Sequence, residues 1–469
     1  MATAALRPKV GLLALTLELY ESLSSLLRPG RQDWVHKQVL PALEPLAEVT
    51  FEKAVFRRED VEAAVAGFEA AGVDALLVML LSYSPSQIAL PALKRTRLPI
   101  ILWNTQELFA VDNAFDAAQM TANHGVHGTQ DLANVLLRSN VPFAYVTSHL
   151  QDPAGCGELA DFFTAAAAVR RLSSARLGML GYPFPGMGDF ALDTTHMAAT
   201  LGCSGTVMPL EEYIRRAADA APQAAADVMA EYRSTYDVAP DVTDADLEAT
   251  ARVEIALRGM IGERGLDGFT YQFLAFGEDE RTPTVPFVAA SRLMADGLGF
   301  GGEGDLISAA GSALLNWLAP PASFTEMFTT DFGGNSMFMS HMGECSVAMA
   351  RRDRKVRLAA RPQAITKTRQ RQLALVTALE PGPATLFALT LGPCSRWRLI
   401  ASQMTIPDWG PLDSMTVPHF KLVPSGDVRD FLTAYACAGG PHHCAVCFGD
   451  ARARIRMAAR LLDADYCEV

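Results

Sequence analysis

Short apolar runs alternate with longer amphipathic ones through the first third of the chain. Residues 10–15, 49–56, 75–81, 98–103 and 143–147 carry Val, Leu, Ile and aromatic side chains with little polar interruption, which predicts strands. Between them residues 59–71, 86–94 and 129–138 predict helices. Strands apolar on both faces and separated by helices imply a parallel sheet covered on both sides, a Rossmann-like layer. No GxGxxG occurs in this layer, so no dinucleotide site is expected.

A second α/β unit follows a helical stretch at 157–172. The segment RLGMLG predicts a strand, YPFPGMGDF a Gly/Pro loop, and residues 192–199, 224–232 and 244–262 helices. The last of these opens at Thr243 and spaces Leu247, Ala251, Ile255, Leu257 and Ile261 as a core-facing helix does. DGFTYQF predicts another strand. Beyond about residue 344, residues 355–360, 373–379, 384–391 and 397–406 form short runs punctuated by Gly, Pro, Asn or Asp, which predicts antiparallel β structure; residues 450–462 predict a closing helix. The domains so predicted are 1–172 and 173–320, both α/β, and a β-rich 321–469.

The chain's 469 residues exceed what one core supports, in line with two or three domains. A net charge of −12 argues against phosphate-backbone binding, so no nucleic-acid partner is expected. The apolar run at 10–17 stops at Glu18, too short for a membrane span and without a cleavage site, so it reads as a first strand. No membrane partner is expected. Eight cysteines without a short framework fit free thiols in a reducing, cytoplasmic setting.

Candidate chemistry concentrates between residues 299 and 341. GFGGEGD, SFTEMF and SHMGE place Glu303, Glu326 and His341 in short polar islands, read here as turns, and His442-His443 in GGPHHC add two imidazoles. Two carboxylates and two imidazoles suit a divalent transition metal such as Mn²⁺. Glu326 between Phe324 and Phe328 would be costly to bury unless paired or metal-bound. Each acid taken singly also fits a solvated loop. HHCxxC permits a rival reading, with Cys444 and Cys447 as a structural zinc or redox pair. In the first layer, ligands are expected beyond the strands' carboxyl ends, which draws attention to Leu17, Glu18, Tyr83, Asn104 and Gln106, with His124 and His127 at the entry to a helix. The simpler account makes these residues helix caps and turn formers.

LSYSPSQ, WNTQ, VHGTQD, IALRGMIGERGLDGFTYQF, RLMADGLGFGGEGDLISAA, SFTEMFTTDF, GNSMFMSHMGE and AGGPHH occur in this order over nearly the whole chain. In them the chain resembles the L-arabinose isomerase family, within the L-arabinose and L-fucose isomerase superfamily. The resemblance implies a Mn²⁺-dependent (or other divalent-metal) aldose–ketose isomerase with two Rossmann-like domains and a C-terminal antiparallel β-barrel-like domain. Glu303 and Glu326 match metal-binding glutamates that act in proton transfer, and His341 and His443 match histidine ligands. Leu17, Glu18, Tyr83, Gln106, His127, Phe328 and His442 are the expected substrate contacts. A homo-oligomer, trimer or hexamer, is implied, with His127 reaching in from a neighbouring subunit.

The chain departs from the family where its members have EDYTYHF: residues 326–332 here read EMFTTDF, losing two tyrosines and a histidine. The usual polar pair before LY is replaced by Leu17-Glu18. The expected reaction is isomerisation of a pentose or related sugar through an enediol. Alternatives are proton abstraction from a modified or oxidised sugar, leading to epimerisation, elimination or bond cleavage, and non-catalytic sugar binding.

Overall fold

The computed structural model describes residues 6–277, 281–362 and 364–469. They fall into two compact units, 6–170 and 171–469.

In the first unit five strands run parallel in the order Glu48–Thr50, Lys9–Leu15, Ala75–Leu80, Ile100–Asn104, Ala144–Thr147. Ala75–Leu80 is buried along its whole length because helices cover both faces. Helix Arg58–Ala71 turns Val61, Val65 and Phe68 into this core. The strand expected at 49–56 is cut short at Thr50, with a lone bridge from Val55 to Leu15. It lies at the sheet edge, where Glu52 and Lys53 face solvent. The helix at Leu27–Trp34 is not expected from the sequence, because Pro29 and Gly30 look like breakers. Pro29 sits in the first turn, where its missing N–H forgoes no helix bond, and the Gly30 N–H donates to the Leu26 carbonyl at 3.0 Å.

The second unit contains a parallel sheet in the order Gly299–Gly301, Gly268–Tyr271, Arg176–Leu180, Ser204–Met208. Helix Asp244–Arg264, capped at its start by Thr243, packs against helices Leu210–Asp219, Pro222–Thr235 and Phe287–Ala295 and shares a core with Leu180, Met208 and Phe269 of this sheet. It is buried more widely than a single stripe, and its Glu254 is satisfied by Tyr232, Arg258 and Arg292.

Six antiparallel strands close into a barrel: Gly382–Leu391, His443–Phe448, Ala322–Asp331, Ser336–Ser340, His419–Pro424 and Trp397–Ile406. The last pairs back to the first from Gly382↔Ile406 to Leu391↔Trp397. Closure leaves no free edge among these six. Asp465–Glu468 adds alongside Trp397–Ile406 in parallel. The runs read at 355–360 and 373–379 do pair antiparallel, but within a separate small sheet completed by Asp237–Val238. Helix Leu306–Leu318, buried on every side, packs against both the parallel sheet and the barrel.

Candidate functional site

Within the second unit, the carboxyl end of the parallel sheet and three neighbouring barrel strands bring together a cage of carboxylates and imidazoles. Glu303 follows strand Gly299–Gly301 on a turn with φ of 60°, a conformation that costs a non-glycine residue energy. The flanking glycines have steric reasons. A Cβ at Gly302 would stand 2.7 Å from His341 Nε2, and one at Gly304, itself at φ +85°, 2.5 Å from the Tyr182 carbonyl oxygen. Glu326 lies within strand Ala322–Asp331, opposite His443 on one side and Ser340 on the other. His341 directly follows strand Ser336–Ser340.

The expectation that all these donors sit on turns is therefore corrected for Glu326 and His443, which lie in strands. SFTEMF shows no clean alternation because a bulge between Met327 and Thr329 re-aims the strand. Phe324 is buried, whereas Phe328 is 44% exposed.

The ligand atoms of Glu326, His341 and His443 lie within 4.8 Å of one another, and so do those of Glu303, His442 and His443. Glu303 Oε2 stands 3.8 Å from His443 Nε2 and 3.9 Å from His442 Nε2. Three imidazoles repeat one arrangement. His341 Nδ1 is 2.6 Å from Glu344 Oε2, His443 Nδ1 is 3.0 Å from Asp305 Oδ2, and His442 Nδ1 is 2.5 Å from Asp189 Oδ2. The Nε2 atoms of all three are buried without a hydrogen-bond partner among the described residues.

A carboxylate on Nδ1 fixes the tautomer and raises the basicity of Nε2, the arrangement that metal-ligating histidines use. Orphaned buried nitrogens beside two carboxylates fit a divalent cation of mixed N/O preference. Phe324 meets the His341 and His443 rings edge-on, and Phe190 stacks on His443 at 5.5 Å.

Burial pushes the Glu303 carboxyl up, but the facing imidazoles of His442, His341 and His443 outweigh it and hold it below its ordinary value. Burial lowers His341, and the carboxylates of Glu344, Glu326 and Glu303 together more than restore it, leaving it raised. For His442, Asp189 and Glu303 overcome burial and lift the ring to about 10, while His442 holds Asp189 at about 2.

Asp305, Glu344 and Asp189 were not anticipated. Asp305 in GEGD and Glu344 in HMGE carry a local signal, lying two and three residues from proposed ligands. Asp305 also caps helix Leu306–Leu318 through Oδ1, which accepts from Ser308 N at 2.9 Å. Asp189 is distant in sequence and gave none. The zinc or redox reading of HHCxxC is corrected: Cys444 and Cys447 are free, buried thiols three apart on a strand, which point to opposite faces. Burial pushes both up, Cys447 to about 12, so neither is a thiolate.

The remaining expected contacts belong to the first unit, where Tyr83 and His127 come together. Leu17 precedes helix Glu18–Leu23, Glu18 pairs with Arg57 at 2.8 Å, and the Gln106 amide donates to the Leu108 carbonyl at 2.8 Å. Tyr83 stacks on the exposed His127 at 4.7 Å, and His124 lies 5.0 Å from His127. His124 Nδ1 is 2.6 Å from the Thr121 carbonyl and so carries the proton, which leaves Nε2 to accept from the Tyr20 hydroxyl at 2.6 Å.

Family models for the L-arabinose isomerase central and C-terminal domains match residues 192–320 and 321–465. The chain belongs to the L-arabinose isomerase family. It is similar to the L-arabinose isomerase of Nocardioides sp., 29% identical over 77% of this chain and 73% of that protein. Similarity extends to the enzyme of Acidothermus cellulolyticus, 28% identical over 84% of this chain and 80% of the relative. That of Geobacillus kaustophilus is 25% identical over 89% and 84%. Against the family's EDYTYHF pattern, Asp331 here is ion-paired with Lys421 at 2.5 Å.

Proposed function

We propose that this chain is a divalent-metal-dependent aldose–ketose isomerase of the L-arabinose isomerase type, acting on a pentose or related sugar. The observation that carries the reading is the pair of buried, partnerless Nε2 atoms of His341 and His443 facing the carboxylates of Glu326 and Glu303. These four residues would hold the cation, with Mn²⁺ the best match to two nitrogens and two carboxylates. Such a cation would polarise the sugar's C1 and C2 oxygens and acidify its C2–H.

The chain's own groups do the rest. One glutamate takes the C2 proton from the open-chain aldose, the electron pair forms the C1=C2 bond of an enediol, and the C1 oxygen gains a proton. The other glutamate assists return of a proton to C1 as the O2 proton leaves, giving the ketose. Glu303, held ionised by the surrounding imidazoles, suits either role. Glu344 and Asp305 keep His341 and His443 oriented.

We infer that Phe328 and His442, in the unit that carries the cage, also meet the sugar; Leu17, Glu18, Tyr83 and Gln106 are read as sugar contacts of the 6–170 unit. The protein is further read as a homo-oligomeric trimer or hexamer in which His127 serves a neighbouring subunit's site. The exposure of His127, stacked on Tyr83, supports that reading. Among the described residues no helix is long and apolar enough to cross a membrane.

The test is incubation of the Mn²⁺-treated protein with a panel of aldoses and oxidised or phosphorylated sugars in D₂O, followed by NMR. Ketose formation with deuterium at C1 is expected from at least one free aldose. Deuterium exchange confined to oxidised sugars, with no ketose, would replace isomerisation by another proton-abstraction reaction. An inert, metal-free protein would replace it by sugar binding.

A further inference from the structure

The three carboxylate–imidazole pairs differ in where they lie. Glu344–His341 and Asp305–His443 are sealed in, with side chains at most 2% exposed, whereas Asp189–His442 sits at the mouth, at 37% and 31%. Asp189 Oδ2 takes both the His442 ring nitrogen at 2.5 Å and the His442 backbone N–H at 3.2 Å. One oxygen on two groups of one residue fixes how that side chain leaves the backbone.

Asp189 arrives on the loop after strand Arg176–Leu180, and the next residue, Phe190, is buried against the His443 ring. The loop therefore grips both histidines, His442 through the carboxylate and His443 through the ring. The outcome is an inward His442 Nε2, buried and partnerless, 3.9 Å from Glu303 Oε2.

We infer that Asp189 is a positioning residue that aims His442 Nε2 at a sugar oxygen at the mouth of the cage, and that His442 is not a metal ligand. This rests on the isomerase reading above. The sealed pairs lie where a cation loses its water, and the open pair lies where a hydroxylated substrate enters. A sugar oxygen placed between His442 and Glu303 would satisfy both groups.

The experiment compares Asp189→Ala, Asp189→Asn and His442→Ala with Glu344→Gln in the full-length protein, titrating Mn²⁺ alone by electron paramagnetic resonance. Glu344→Gln is expected to weaken Mn²⁺ binding roughly 10- to 100-fold, as loss of a ligand's supporting carboxylate does, and the other three to leave it unchanged. With the aldose that turns over best, Asp189→Ala should raise KM about 10-fold with little change in kcat. Asp189→Asn, which keeps an acceptor for the ring N–H, should recover most of that loss. Asp189→Ala combined with His442→Ala should be no worse than His442→Ala alone.

Mn²⁺ loss in Asp189→Ala or His442→Ala equal to that in Glu344→Gln would overturn the inference. So would additive effects in the double variant, or an Asn variant no better than Ala. If no aldose turns over, the isomerase reading fails separately, and the pair is judged by the far-downfield ring proton of His442. That resonance, identified by its loss in His442→Ala, should also vanish in Asp189→Ala; its persistence there would contradict the inference.

Discussion

Two imidazole clusters in this protein are built on opposite principles. In the 171–469 unit each ring of the cage has a carboxylate on Nδ1 and a bare, buried Nε2. In the 6–170 unit His124 lies between a carbonyl and a phenol, and His127 lies flat on Tyr83. The same residue type therefore titrates in opposite directions. Burial and the nearby His127 lower His124, whereas carboxylates raise His341 and His442. Of the carboxylate-backed rings, the sealed His341 and His443 suit a cation and the open His442 suits a sugar oxygen, whereas His124, backed by phenol and carbonyl, and His127, stacked on an aromatic face, suit a sugar's C–H faces and hydroxyls.

The comparison breaks most sharply at the carboxylates that face the cage. Glu303→Gln or Glu326→Gln should lower turnover by roughly 10²- to 10⁴-fold with the circular dichroism spectrum unchanged. A variant that keeps a near-native rate would remove that glutamate from the chemistry.

Metal content comes next. His443→Ala should lose Mn²⁺ in equilibrium dialysis while His442→Ala retains it, and equal content in both would overturn the assignment of ligands. Asp305→Asn should weaken Mn²⁺ binding roughly 10- to 100-fold. Its partner is His443, so an unchanged affinity would mean that the supporting carboxylate does not orient that ring.

In the other cluster, His127→Ala should raise KM roughly 5- to 10-fold, the loss of about one hydrogen bond, with Mn²⁺ binding intact. A lower Mn²⁺ affinity would erase the distinction between the two clusters.

The smallest effect concerns pH and the metal-free protein. A ring whose folded value lies below the ordinary 6.5, as for His124, disfavours folding when protonated. Its stability contribution is whole above 6.5 and falls away as the pH drops below that value. His341, with a raised folded value, contributes fully below 6.5 and loses that contribution as the pH rises through its folded value. Melting temperatures recorded against pH should show the acid-side decline weakened in His124→Gln and the alkaline-side decline weakened in His341→Gln. The reverse pattern would contradict the electrostatic contrast.

Much of the architecture was legible because its signals are local. The three central strands of the first sheet, Lys9–Leu15, Ala75–Leu80 and Ile100–Asn104, are apolar runs that are almost wholly buried, and helix Asp244–Arg264 announces its start with Thr243. Barrel closure was not readable from pattern, because the ladder joining Gly382–Leu391 to Trp397–Ile406 is familiar hairpin chemistry whose partners on the other side are set by tertiary packing. The Gly-flanked Glu303 and the HH pair were readable as chemistry, since few structural tasks need those residues in those contexts. Strand placement of Glu326 was hidden by the bulge at Met327/Thr329, which breaks the period of two. Asp189 was hidden more deeply. It lies 253 positions from His442, and only the folded loop brings the two together.

In the proposed function Glu303, Glu326, His341 and His443 form one cation site. The most direct measurement is the anomalous difference map of a crystal grown with Mn²⁺ and recorded near the manganese edge. One strong peak is expected within coordination distance of Nε2 of His341 and His443 and of both glutamates, and away from His442 Nε2. A cage without a peak, or a peak held by His442 in place of His341, would contradict it.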